Sequence, residues 1–169
     1  MGEIRYGHVE GPGKGREYKM AATQYFGRLG GKFCYLAGGT GHVTAATSTA
    51  TFLFGWVDTP KDTTGAATTW VSSGTAGKDK CFVIYGVDDK FEMPYQAANS
   101  VASCLATSLL GEAAEIYVSG STTTTVQQCG KLADPAASQA VLVIYDVNET
   151  DGTVIVGIRP EKRQPKGLG

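Results

Sequence analysis

No apolar stretch in this chain approaches the roughly 20 residues that a membrane-spanning helix needs. The opening residues, MGEIRYGHVEGPGKGREYKM, contain no hydrophobic segment of the kind a secretory leader carries. They begin Met-Gly, but Tyr6 stands where a myristoylation motif places Ser or Thr. Charge is scarce: 18% of residues are charged and the formal net charge is −1, so no broad field of either sign recruits nucleic acid or a membrane surface. Histidine is limited to His8 and His42, and neither has a Cys or carboxylate neighbour at ligand spacing. Gly38-Gly39-Thr40-Gly41 is not followed by the Lys-Ser/Thr of a phosphate loop and reads as a tight turn. The chain also lacks a G-x-S-x-G nucleophile turn. These absences predict no catalytic residues, no cofactor and no metal. Cys34, Cys81, Cys104 and Cys129 have none of the short spacings of zinc or redox motifs. They read as buried, reduced thiols in a protein made in a cytosol, with a disulfide in an oxidising compartment as the alternative.

What is present is Gly, Thr, Ala and Val, a composition that favours short strands and many turns. At 169 residues the chain is one ordinary domain with room for a core. The clearest signal is the last hairpin, Ala140 to Ile158: AVLVIYD, a polar VNETDG, then TVIVGI. Both of its faces are apolar, so it is covered twice, by its own domain or by a neighbouring subunit. Further strands are expected at KFCYLAG, TFLFGWVD, TTWVSS, CFVIYGV and FEMP, with a hairpin of AEIYVSG and TTTTVQQCGKL. One segment breaks this rhythm. VASCLATSLLG spaces Val101, Cys104, Leu105 and Ser108 as a helix would, with Asn99 or Ser100 as N-cap and Gly111 as the stop. The expected fold is therefore all-β or β-dominated, a compact sandwich or barrel-like domain over residues 25–158 with one short helix at about 99–110. Residues 1–24 read as a flexible Gly/Pro-rich arm and 159–169 as a basic tail.

The carboxylates at Asp58/Asp62, Asp88/Asp89/Glu92 and Asp146/Glu149/Asp151 all fall in or beside expected loops, where solvated acids are the default. Basic residues gather in the arm and the tail but are interleaved with Glu, and so suit orientation on a protein surface better than nucleic-acid binding.

GKFCYLAGGTGHVTAATSTATFLFGWVD, KCFVIYGVDDKFEMP and AVLVIYDVNETDGTVIVGI together resemble the small decoration, or cement, proteins of tailed-bacteriophage capsids. The likeness is one of order and style over residues 31–158. It implies a compact β domain that sits as a trimer on the outside of an icosahedral head and bridges major capsid proteins. Such a protein is made in the host bacterial cytoplasm and is not an enzyme. Capsid binding would then fall to Tyr6, Arg16, Tyr18, Tyr25 and Phe26 in the arm and to Arg159, Lys162 and Arg163 in the tail. Subunit packing would fall to Trp56, Trp70, Val154 and Val156. The competing readings are a tail-tube or head–tail connector subunit and a carbohydrate- or ligand-binding β-sandwich using Trp56 and Trp70.

Overall fold

The computed structural model describes residues 6–27, 30–58, 70–95, 109–118 and 128–164. The early strands are β1 (Gly7–Glu10), β2 (Gly15–Lys19), β3 (Tyr25–Phe26), β4 (Lys32–Leu36), β5 (Val43–Ala45), β6 (Gly55–Val57) and β7 (Trp70–Val71). They are followed by β8 (Lys80–Ile84), β9 (Lys90–Pro94), β10 (Ala113–Val118), β11 (Gln128–Leu132), β12 (Leu142–Asn148) and β13 (Thr153–Ile158), then a 3-10 turn at Pro160–Lys162. The strands form a six-stranded sheet in the order β1-β9-β13-β12-β10-β11, a five-stranded sheet in the order β2-β8-β6-β4-β5, and a β3-β7 ribbon. The β-dominated class expected from the sequence is the one observed, and its architecture is a sandwich.

One core fills the space between the two large sheets. Phe33 and Trp56 enter it from the five-stranded sheet; Phe91, Ile116, Leu142, Ile144, Val154 and Val156 enter from the other. Phe33 meets Trp56 edge-on at 4.9 Å, and Trp56 stacks on Phe91 at 5.3 Å. A second core, with Cys34, Leu36, Val57, Cys81 and Val83, lies on the other face of the five-stranded sheet. The ribbon covers it through Phe26, whose ring lies 5.9 Å from that of Trp70. Being covered on both faces is why β4 and β6 read as unbroken apolar runs rather than alternating ones.

The final hairpin forms as expected, with Gly152 at φ +66 in its turn. Its inner side chains are fully buried, whereas Val143 and Ile155 on the outer face are half-buried. The register slips between Ile144 and Asp146, a bulge that leaves Tyr145 half-exposed and turned over Gly157. A Cβ at Gly157 would lie 2.8 Å from Tyr145 Cε2, so a larger residue there would have to displace that ring.

Two expectations about the chain ends are corrected. In the N-terminal segment, β1 pairs with β9 in one sheet and β2 with β8 in the other, so residues 7–19 staple the sandwich rather than forming an arm. The basic tail is docked as far as Gln164: Leu53 N–H donates to Lys162 O, and Gln164 N–H to Leu53 O. Backbone donors and acceptors, which composition does not reveal, hold both segments. Of the helix expected at about 99–110, residues 99–108 lie outside the described set, and Leu109–Gly111 form a turn that leads into β10.

Three glutamines stand in for missing strand neighbours. Gln128 accepts from Phe33 N–H at 2.6 Å and donates to Phe33 O and Ala46 O. Gln164 holds Leu36 N–H and C=O in the same two-point manner. Gln24 caps Ala45 N–H on the outer edge of β5 at 2.8 Å.

Candidate binding surface

Three hollows run into one another across the side of the sandwich where the C-terminal segment docks. The largest, about 690 Å³, is lined by Tyr35, the 47–52 loop with its threonines and Phe52, and by Glu161, Arg163 and Gln164. Arg163 and Gln164 also wall a hollow of about 170 Å³ with Phe54, Tyr85 and Val87. Val87 in turn rims one of about 300 Å³ that includes Glu10, Asp88, Lys90 and Tyr145. Phe52 is 52% exposed, Val87 74% and Tyr145 50%, so each section of the groove has an apolar side chain open to solvent. Exposed apolar side chains grouped along one surface mark a contact site more often than scattered ones do.

Arg163 is the fixed point of this surface. Its guanidinium donates to Val87 O at 3.0 Å and to Tyr85 O at 3.4 Å, tying the tail to the 85–89 turn. Burial lowers its pKa, and the nearby Asp89, Tyr145 and Asp88 partly restore it; an arginine so placed stays charged.

Behind the turn lies Asp89, 1% exposed. Its Oδ1 lies 3.0 Å from His8 Nε2 and accepts from Gly13 N–H at 2.8 Å, while Oδ2 has no hydrogen-bond partner among the described residues. The expectation that the Asp88/Asp89 acids are solvated is thus wrong for Asp89, which clamps the β1–β2 connection onto the β8–β9 turn. Toward solvent, Lys90 Nζ bonds Glu10 at 2.8 Å and sits 4.7 Å above the Tyr145 ring. No group of three or more His, Cys, Asp or Glu side chains converges as a metal site among the described residues.

The sequence-selected residues do not come together as a single site. Phe26, Trp56, Val154 and Val156 are at most 1% exposed and belong to the cores, where they have no surface to offer a neighbour in this fold. Trp70 and Tyr25 are half-buried in the ribbon. Tyr6 bridges Gly30 in a parallel contact, and burial, with lesser contributions from Cys129, Glu92 and Asp151, raises its pKa. Tyr18 packs edge-on against Phe54 at 5.2 Å, and Arg16 lies over its ring at 4.7 Å on the open edge of β2. Arg159 donates to Pro135 O and Ala140 O, and Lys162 to Ser138 O. Of the proposed binding residues, only Arg163 lines the groove. The sequence reading missed Phe52, Val87 and Tyr145: each belongs to an apolar stretch that looked like core, and the bulge or turn that exposes it is a product of pairing. No protein-family model, curated protein or solved structure matches this chain.

Proposed function

We propose that the chain is a non-enzymatic structural protein of a tailed-bacteriophage virion. It binds the outside of the icosahedral head with further copies of itself, bridges neighbouring major capsid proteins and stabilises the shell. The observation that supports this reading best is the long, open groove rimmed by Phe52, Val87 and Tyr145 around a locked Arg163. A shallow surface of this kind makes weak contacts singly, and repetition over a particle multiplies their strength. The domain suits that load, because residues 7–19 and 162–164 are hydrogen-bonded to its strands and loops.

The test is co-sedimentation of the purified chain with phage heads assembled without it. Saturable binding is expected, and Val87→Asp should weaken it about tenfold or more while leaving the circular dichroism spectrum unchanged. Absence of binding, or binding indifferent to Val87, would sink the proposal. A glycan-binding module is the second reading, favoured by Tyr35 and Phe52 beside the hydroxyls of Thr47, Thr49 and Thr51 in the largest hollow. A saturable sugar titration abolished by Phe52→Ala would establish it instead.

A further inference from the structure

The turn between β8 and β9 is held from both sides. Arg163 donates to the carbonyls of Tyr85 and Val87, Tyr85 N–H donates to Lys14 O, and Asp89 accepts from Gly13 N–H. Val87 and Asp88, both exposed, sit on this turn between those anchors. Their backbone is therefore fixed before any partner arrives, which lowers the ordering cost of a contact made there.

The hollow of about 300 Å³ beside the turn sets Val87 and Tyr145 against Glu10, Asp88, Asp89 and Lys90. Its charges do not balance. Three carboxylates stand against one ammonium, and Lys90 is already engaged, by Glu10 at 2.8 Å and by the Tyr145 ring. Arg163, on the neighbouring rim, brings the count to three against two, with its guanidinium turned to the carbonyls of the turn. Asp88 makes no hydrogen bond or ion pair with a described residue. Asp89 belongs to the same wall, is 1% exposed, and has an Oδ2 without a partner among the described residues. A buried carboxylate with an unmatched oxygen beside an unpaired surface one leaves a surplus of negative charge, which a cation entering the hollow relieves.

We propose that this hollow seats an arginine side chain of the partner protein, carried on an extended segment whose neighbouring apolar residue packs on Val87. A metal ion does not suit the place, because no three ligating side chains converge there among the described residues. A guanidinium does, since its forked donors span carboxylates that do not meet at a point. Asp88 takes the guanidinium directly, and Glu10, of which Lys90 holds one oxygen, borders it. Phosphates and acidic segments are repelled. The proposal rests on the reading of the groove as a contact surface and names the chemistry of what fills one end of it. Its sign is opposite to the expectation that basic residues of this chain do the binding.

The probe is N-acetyl-leucyl-arginine amide, titrated into the full chain at neutral pH while the amide resonances of residues 86–90 are followed. The controls are the same peptide with citrulline, which keeps the shape and loses the charge, and with glutamate. Saturable shifts at the turn are expected, with a dissociation constant on the order of millimolar, because one exposed ion pair contributes little. The citrulline peptide should bind about threefold or more weakly, and so should the arginine peptide to Asp88→Asn. Added salt should weaken the arginine complex and leave the citrulline one unchanged. An unaltered thermal unfolding curve for Asp88→Asn establishes that its fold is intact. Equal binding of the arginine and citrulline peptides would overturn the proposal, as would preference for glutamate, shifts that lie away from the turn, or binding that survives Asp88→Asn. The titration contains no heads, so it judges the arginine seat even if heads fail to bind and the virion reading falls. Heads that bind while the titration fails would remove the seat alone.

Discussion

Lys32 lies on β4 with 5% of its surface exposed and its ammonium 5.7 Å from the centre of the Phe26 ring. Burial pushes its pKa from 10.5 down to about 8. Between those values the unfolded chain holds the proton that the folded chain has lost, so this residue makes stability rise with pH across that window. The cysteines act in the opposite sense. Burial raises Cys81 from 9.0 to about 12 and Cys34 well above its ordinary value, so the folded state keeps protons that the unfolded state releases above about pH 9. Comparing Lys32→Met with the wild type separates the two effects. The variant should be the more stable protein at pH 7, and its advantage should shrink as pH rises from about 8 toward 10.5, read from urea midpoints at each pH. Gln128 gives a second prediction at this scale. It is 1% exposed and satisfies the main chain at Phe33 and Ala46, so Gln128→Leu should cost on the order of 2–4 kcal/mol. Neither role could be read from the residue's neighbours in sequence. KFCYL looked like a plain strand and VQQCG like a polar one, because the partners lie up to 95 residues away.

Among the elements, β1 and β2 changed most between expectation and structure. The residues between Gly7 and Lys19 have too few apolar side chains to signal strands, and their Gly and Pro content argues for a loop. Each nevertheless adds a strand to a different sheet, where pairing with β9 and β8 supplies what side-chain burial does not. Deleting residues 1–24 is accordingly expected to abolish cooperative unfolding and to expose apolar surface to a dye such as ANS, rather than trim a dispensable arm. Asp89 makes a finer test of the same elements. Asp89→Ala removes the acceptor of Gly13 N–H and the partner of His8, and should cost about 2 kcal/mol. Asp89→Asn keeps an oxygen for both and should cost less, and the order of the two variants in thermal unfolding checks the clamp. The last hairpin, by contrast, was legible with its strands and its turn, but not which of its two apolar faces is the inner one. Unbroken runs of Val, Leu and Ile of strand length mark the paired strands, and Asp151-Gly152 supplies a residue that tolerates positive φ. Its bulge was not legible, since Tyr145 fits the apolar run as well as any neighbour.

At the scale of the whole molecule, protection should follow layering. Strands β4 and β6 lie between two cores, so their amides are expected to be the slowest to exchange, with β3 and β7 in the outer ribbon among the fastest; hydrogen exchange followed by mass spectrometry checks this ranking. The sequence by itself determined the β class, the sites of the late strands and the burial of Cys34 and Cys81 in apolar runs. Those properties follow from composition and local period, which act over a few residues. Only the tertiary structure decided that the N-terminal segment belongs to both sheets, that Trp56 and Val156 are core, and that Phe52, Val87 and Tyr145 rim a groove around Arg163. An apolar residue on a strand reads the same whichever way it points. Its direction is fixed by register, by a bulge and by what the opposite sheet brings to that face.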